Sequence, residues 1–155
     1  MKLIAHRGNI NGPDIQNENK PEYIKTAIVL GYDCEIDVRL INNELYLGHD
    51  EPTYKINIDF LITNKDSLWI HCKNITALGF LSEYKNYVFN YFWHQTDDYV
   101  ITSNEFIWTY PKDKYDMFFS SQIILDFSDN VDYNYYREQG IYAVCCDYVN
   151  LKEIY

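Results

Sequence analysis

The stretch Asp33-Cys34-Glu35-Ile36-Asp37-Val38-Arg39 alternates strictly along its length. A period of two predicts a β-strand with Cys34, Ile36 and Val38 on one face and Glu35 and Asp37 on the other. In an ordinary half-exposed strand the acidic face is simply wet. In a barrel strand the apolar set faces the surrounding layer, and polar residues near the strand's end point into the mouth. Residues two apart lie roughly 6.5–7 Å from one another at a rise of ~3.3 Å per residue. Glu35 and Asp37 can therefore converge on one hard cation through oxygen ligands.

Upstream, the apolar run 2–5 stops abruptly at His6-Arg7-Gly8. Asn19-Lys20-Pro21-Glu22 reads as a helix start, with Asn19 as the cap and Pro tolerated in the first turn. Tyr23, Ile24, Ala27, Ile28 and Leu30 follow at helical spacing, and Gly31 is a natural stop. Downstream, Asn42-Asn43 marks a turn, and the chain returns through 44–48 to His49-Asp50. Further strands are predicted at 68–72, 87–91, 99–101, 106–108, 122–125 and 141–145, and helices at 76–84 and 133–139. The segment 99–110 also fits a hairpin. This order predicts an α/β fold with a largely parallel sheet in one domain spanning 1–155.

Composition narrows the classes. A hydrophobic content of 47% and a charged content of 23% support a folded core. The net charge of −10 argues against general binding to nucleic acid or anionic membranes. A local phosphate pocket stays open, because a bound cation reverses the sign locally. No apolar run approaches the ~20 residues of a membrane span. No apolar h-region follows Met1, so no signal peptide is expected. Cys34, Cys72, Cys145 and Cys146 lack metal-type spacing and read as buried, reduced thiols of a cytoplasmic protein.

All four histidines, His6, His49, His71 and His94, fall at or just past the ends of strand-like runs. In parallel α/β folds that edge assembles active sites. A carboxylate-bound cation polarises phosphodiester P–O bonds. Histidines near neutral pKa can take a proton from the nucleophile and return one to the leaving group. Arg7 and Lys73 suit the non-bridging oxygens. Trp93-His94 and Trp108-Thr109-Tyr110-Pro111 read either as core and rim aromatics or as an aromatic wall against the substrate, with Trp108 the named candidate.

Ile4-Ala5-His6-Arg7-Gly8, Glu18-Asn19, Glu35-Ile36-Asp37-Val38 and Gly48-His49-Asp50 together resemble, in order and spacing, the glycerophosphodiester phosphodiesterase pattern within the wider phospholipase-C-like phosphodiesterases. Cys146-Asp147-Tyr148 resembles that family's closing strand. The strong match covers residues 1–54. The resemblance implies that His6 and His49 form the acid/base pair, that Glu35 and Asp37 bind Mg²⁺ or Ca²⁺, and that Arg7 contacts phosphate. It implies a small phosphodiester substrate and a compact (β/α) TIM-barrel-like domain. Such barrels typically need ~250 residues, so outer helices must be shortened or missing. The family's third strand reads as an acidic residue, a spacer and Lys; here it is His71-Cys72-Lys73. Lys73 is kept, while His71 either ligates a metal such as Mn²⁺ or Zn²⁺ or binds phosphate. Cleavage through a substrate hydroxyl, giving a cyclic phosphate, and a non-catalytic phosphate-ester binding module are the alternatives.

Overall fold

One mixed sheet of ten strands organises residues 1–110 and 118–150, the part of the chain that the computed structural model describes. The strands are β1 (Lys2–His6), β2 (Asp33–Ile41), β3 (Glu44–Leu47), β4 (Tyr54–Ile56), β5 (Leu68–Cys72), β6 (Tyr91–Phe92), β7 (Tyr99–Ile101), β8 (Ile107–Thr109), β9 (Gln122–Leu125) and β10 (Ala143–Cys146). The helices are α1 (Pro21–Val29), α2 (Ile58–Asn64), α3 (Ile75–Glu83) and α4 (Tyr133–Glu138). A parallel run β6-β5-β2-β1-β10-β9-β8 forms the body of the sheet. The β3–β4 hairpin continues antiparallel from the second half of β2, and β7 lies antiparallel on β8.

The strict alternation in β2 explains the outer layer. Cys34, Ile36 and Val38 are fully buried in a cluster with Ile24 and Ala27 of α1, Leu61 of α2, and Ala77 and Leu81 of α3. A second cluster fills the other face, built from Ile4, Trp69, Phe92, Trp108, Ile123, Leu125, Ala143 and Cys145. Phe92 stacks on Trp108 at 4.4 Å, and Trp69 lies 6.0 Å from Trp108. β5 and β8 stand on opposite arms of the sheet, so this contact requires the sheet to curl until its arms face each other. All four cysteines are buried, and burial pushes the Cys72 thiol up to about 12 and Cys146 up to about 11.

The expected (β/α) TIM barrel is overturned. Among the described residues the fold is a curled, half-barrel mixed sheet with four short α-helices and one 3-10 turn, not a closed ring of alternating strands and helices. The physical reason lies in the connections. A parallel crossover needs a dozen or more residues, whereas a hairpin needs very few. The chain turns from β2 to β3 through Asn42 and Asn43, both with positive φ, and from β7 to β8 through another short hairpin. No helix separates β6, β7 and β8. Among the described residues, β6 pairs as a strand only with β5, and β7 only with β8. That seam is stitched by Ser103, whose N–H donates to the Tyr91 carbonyl while its Oγ accepts from the Tyr91 N–H.

Other expectations shift locally. Lys20, not Asn19, occupies the N-cap of α1, with no side-chain cap, and Pro21 opens the helix. The strand expected at 87–91 is confined to Tyr91–Phe92, and 99–110 is the hairpin. Pro111 and residues 151–155 lie outside the described residues. No helix among those described is long and apolar enough to cross a membrane.

Ile36 is fully buried in the middle of β2, beneath the helices. Ile36→Ala is expected to lower stability by about 2–5 kcal/mol, as core truncations do. A urea titration checks this through a lowered midpoint at unchanged slope.

Candidate active site

Strand register builds the site. His6 lies opposite Glu35 between β1 and β2, and Asp37 lies opposite His71 between β2 and β5. Adjacent strands are about 4.8 Å apart. Four side chains from three strands therefore meet at the carboxyl end of the parallel run. His6, Glu35 and His71 open into a cavity of about 500 Å³ that His49, His94, Arg7, Lys73, Trp93, Trp108, Tyr110 and Phe127 also line, while Asp37 lies buried behind it.

Asp37 is fully buried. Its Oδ2 accepts from Asn19 Nδ2 at 2.8 Å, and its backbone N–H donates to Asn19 Oδ1 at 2.9 Å. Arg7 Nε lies 3.1 Å from the same Oδ2. Oδ1 makes no hydrogen bond, with His71 Nδ1 at 3.3 Å and Lys73 Nζ at 3.7 Å. Glu35 is 3% exposed, and its Oε2 likewise has no hydrogen-bond partner. Its Oε1 lies 3.7 Å from His71 Nδ1, and its Oε2 lies 4.0 Å from His6 Nε2. Burial and the charge of Asp37 push the Glu35 carboxyl above its ordinary range. Burial also opposes ionisation of Asp37, but the neighbouring His71 ring and Arg7 outweigh it and hold that carboxyl below its range.

His6 is oriented from behind. Its Nδ1 lies 2.8 Å from Asp147 Oδ1, which leaves Nε2 toward the cavity. Burial opposes the Asp147 charge, yet the hydrogen bond from His6 holds this carboxyl below its ordinary value. Asn9 donates to both Asp147 and Glu18, and Glu18 accepts from Arg7 Nη1 at 2.9 Å. The Arg7 guanidinium is thus locked between Glu18 and Asp37. The Phe127 ring packs on the His6 imidazole at 4.5 Å.

His49 reaches the cavity from the turn after β3 and stays partly exposed, with Nδ1 2.7 Å from Asp50. Arg39 clamps this turn by donating to the carbonyls of Gly48, His49 and Asp50. Gly48 is required there: it has φ +147°, and a Cβ would fall 2.0 Å from the Glu51 carbonyl oxygen. Trp108 is 3% exposed; it belongs to the inner core, as the core reading expected, and also lines the cavity.

Every residue singled out from the sequence, His6, Arg7, Glu35, Asp37, His49, His71, Lys73 and Trp108, is at this cavity or buried directly behind it. The supporting residues were not all foreseen. Asp147 was visible only as part of the closing Cys146-Asp147-Tyr148 motif, and Glu18 only beside Asn19. Arg39 continues the alternation of β2 and carried no separate signal. No family model matches the chain, and no curated protein or solved structure matches it significantly.

Two predictions follow from the geometry. Asn19 makes two buried hydrogen bonds to Asp37 from a left-handed backbone at φ +62°. Asn19→Ala is expected to lower stability by about 2 kcal/mol or more, since it strips partners from a buried carboxylate and strains the backbone; thermal melts check this. For His49, burial disfavours the imidazolium, and the cations Arg7 and Lys73 add to this against Asp37 and Asp50. Its folded value therefore lies below the ordinary 6.5. The stability it contributes is complete above the unfolded value and fades as pH falls through the folded one. An NMR titration of the His49 ring in EDTA should show a midpoint below 6.5.

Proposed function

We propose that this chain is a metal-assisted phosphodiesterase of the glycerophosphodiester phosphodiesterase type, acting on a small phosphodiester. One observation carries the reading: two buried carboxylate oxygens, Glu35 Oε2 and Asp37 Oδ1, lack hydrogen-bond partners beside an imidazole nitrogen. Buried polar atoms are ordinarily satisfied, and these two oxygens have lone pairs that a cation would take up. Glu35, Asp37 and His71 offer ligand atoms within 4.8 Å of one another, a donor set that fits a divalent cation. Such an ion, when bound, neutralises the phosphodiester and polarises its P–O bonds.

The chain's own residues supply the rest. Arg7, held rigid by Glu18, and Lys73 bind the non-bridging oxygens. Asp147 keeps the His6 proton on Nδ1, so Nε2 is free to take a proton from the nucleophile. His49, at the rim, would give a proton to the departing alcohol once the negative phosphodiester offsets Arg7 and Lys73, the cations that disfavour its imidazolium. Trp93, Trp108, Tyr110 and Phe127 pack the part of the substrate beyond the phosphate. The net charge of −10 disfavours nucleic acid as substrate, and buried cysteines accord with a cytoplasmic setting.

Hydrolysis of bis(p-nitrophenyl) phosphate tests the reading. Turnover should require a divalent ion, stop with EDTA, and fall about 10²–10⁴-fold in kcat for His6→Ala. Asp147→Asn should also lower kcat, with KM little changed. Phosphorus NMR of a glycerophosphodiester separates a cyclic product from direct hydrolysis. Phosphate-ester binding without turnover under any metal leaves only a binding module. No metal binding, together with ligand affinity indifferent to His6→Ala, removes the catalytic assignment.

A further inference from the structure

We infer that His71 binds the cation through Nδ1 and thereby makes this a site for borderline divalent ions, Mn²⁺ and Zn²⁺, in preference to Mg²⁺ and Ca²⁺. The inference deepens the proposed function, since it concerns the same cation.

The tautomer carries the argument. His71 Nε2 lies 3.1 Å from the carbonyl oxygen of His94. A carbonyl only accepts, so Nε2 carries a proton. In the neutral ring the lone pair is then on Nδ1. That nitrogen faces Asp37 Oδ1 at 3.3 Å and Glu35 Oε1 at 3.7 Å. Nδ1 therefore faces the carboxylates in one of two ways: as a donor, which is how the ring holds Asp37 below its range, or as a lone pair with a cation standing between them. The metal-bound ring is the second. A backbone carbonyl behind the far nitrogen is the usual support for a metal-bound histidine, fixing both tautomer and ring orientation. The ring is further held by stacking on Phe92, at 5.0 Å and an interplanar angle of 12°.

Donor chemistry sets the preference. Two oxygens and one imidazole nitrogen form a softer set than three carboxylates. Mg²⁺ and Ca²⁺ are hard ions served by oxygen, whereas imidazole suits Zn²⁺ and its first-row neighbours. The alternative is a ring protonated on both nitrogens, serving as a permanent ion-pair partner of Asp37 and Glu35. That ring leaves no nitrogen for a metal.

The test is calorimetric titration of the EDTA-stripped, dialysed full chain with each chloride salt. Zn²⁺ and Mn²⁺ should bind at least about tenfold more tightly than Mg²⁺ and Ca²⁺. His71→Asp should narrow or reverse that ratio, with circular dichroism confirming its fold. If His71→Asp does not fold, nitrogen-15 NMR of the wild-type histidines decides. On adding Zn²⁺, the His71 Nδ1 resonance should move while Nε2 keeps its proton. Equal affinity for Ca²⁺ and Zn²⁺, an unchanged ratio in a folded His71→Asp chain, or an unmoved Nδ1 resonance overturns the inference. Cleavage of bis(p-nitrophenyl) phosphate is scored separately. Zn²⁺ or Mn²⁺ preference without cleavage under any metal removes the hydrolase and keeps the His71 ligand. Cleavage with Mg²⁺ or Ca²⁺ preferred does the reverse.

Discussion

The buried Asp37 carboxylate is the point on which the rest of this structure depends. A fully buried charge is tolerated only when it is paired and hydrogen-bonded. Here Asn19, Arg7, His71 and Lys73 surround it, drawn from the loop after β1, the end of β5 and the residue just beyond. The backbone of the same strand serves these connections too. Gly48 N–H donates to the Asp37 carbonyl, and Lys73 N–H donates to the neighbouring Val38 carbonyl. Satisfying one carboxylate thus ties down the connection after β1 and the end of β5.

The same constraint explains why Asn19 does not cap α1. Its side chain is committed to Asp37, donor to the carboxylate and acceptor from the backbone, and the left-handed φ turns it inward. Helix start chemistry at Asn19-Lys20-Pro21 is real, but only Pro21 performs it. Local propensity lost to a buried charge that needed partners. Arg7, also in the left-handed region at φ 54°, shows the same priority: its backbone bends so that its guanidinium can lie between Glu18 and Asp37.

The curled sheet shows how a short chain assembles a strand-end site without a full ring of helices. Parallel pairing runs through the body of the sheet, from β6 to β8, and includes the strands that carry the site. At the margins, β2–β3–β4 and β7–β8, hairpins replace crossovers. The interior is sealed by large rings, with Trp69, Phe92, Trp108 and Phe106 filling the space between the arms. The floor of the cavity is thus the upper surface of the core.

The sequence by itself determined the local patterns. Strict alternation placed Glu35 and Asp37 together on one face of β2, because a pleated strand has a period of two. Abrupt strand endings located His6, His49 and His71 at one edge, because polar groups gather where regular pairing stops. Only the tertiary structure decided the long-range partners. Asp147 reaches His6 across 141 positions because strand neighbours are chosen by sheet order rather than chain order. The sheet's open, mixed character was equally hidden, since a short strand looks the same in sequence whether its neighbour runs parallel or antiparallel. The tautomer of His71 depends on a carbonyl 23 residues away, a contact that no local pattern encodes.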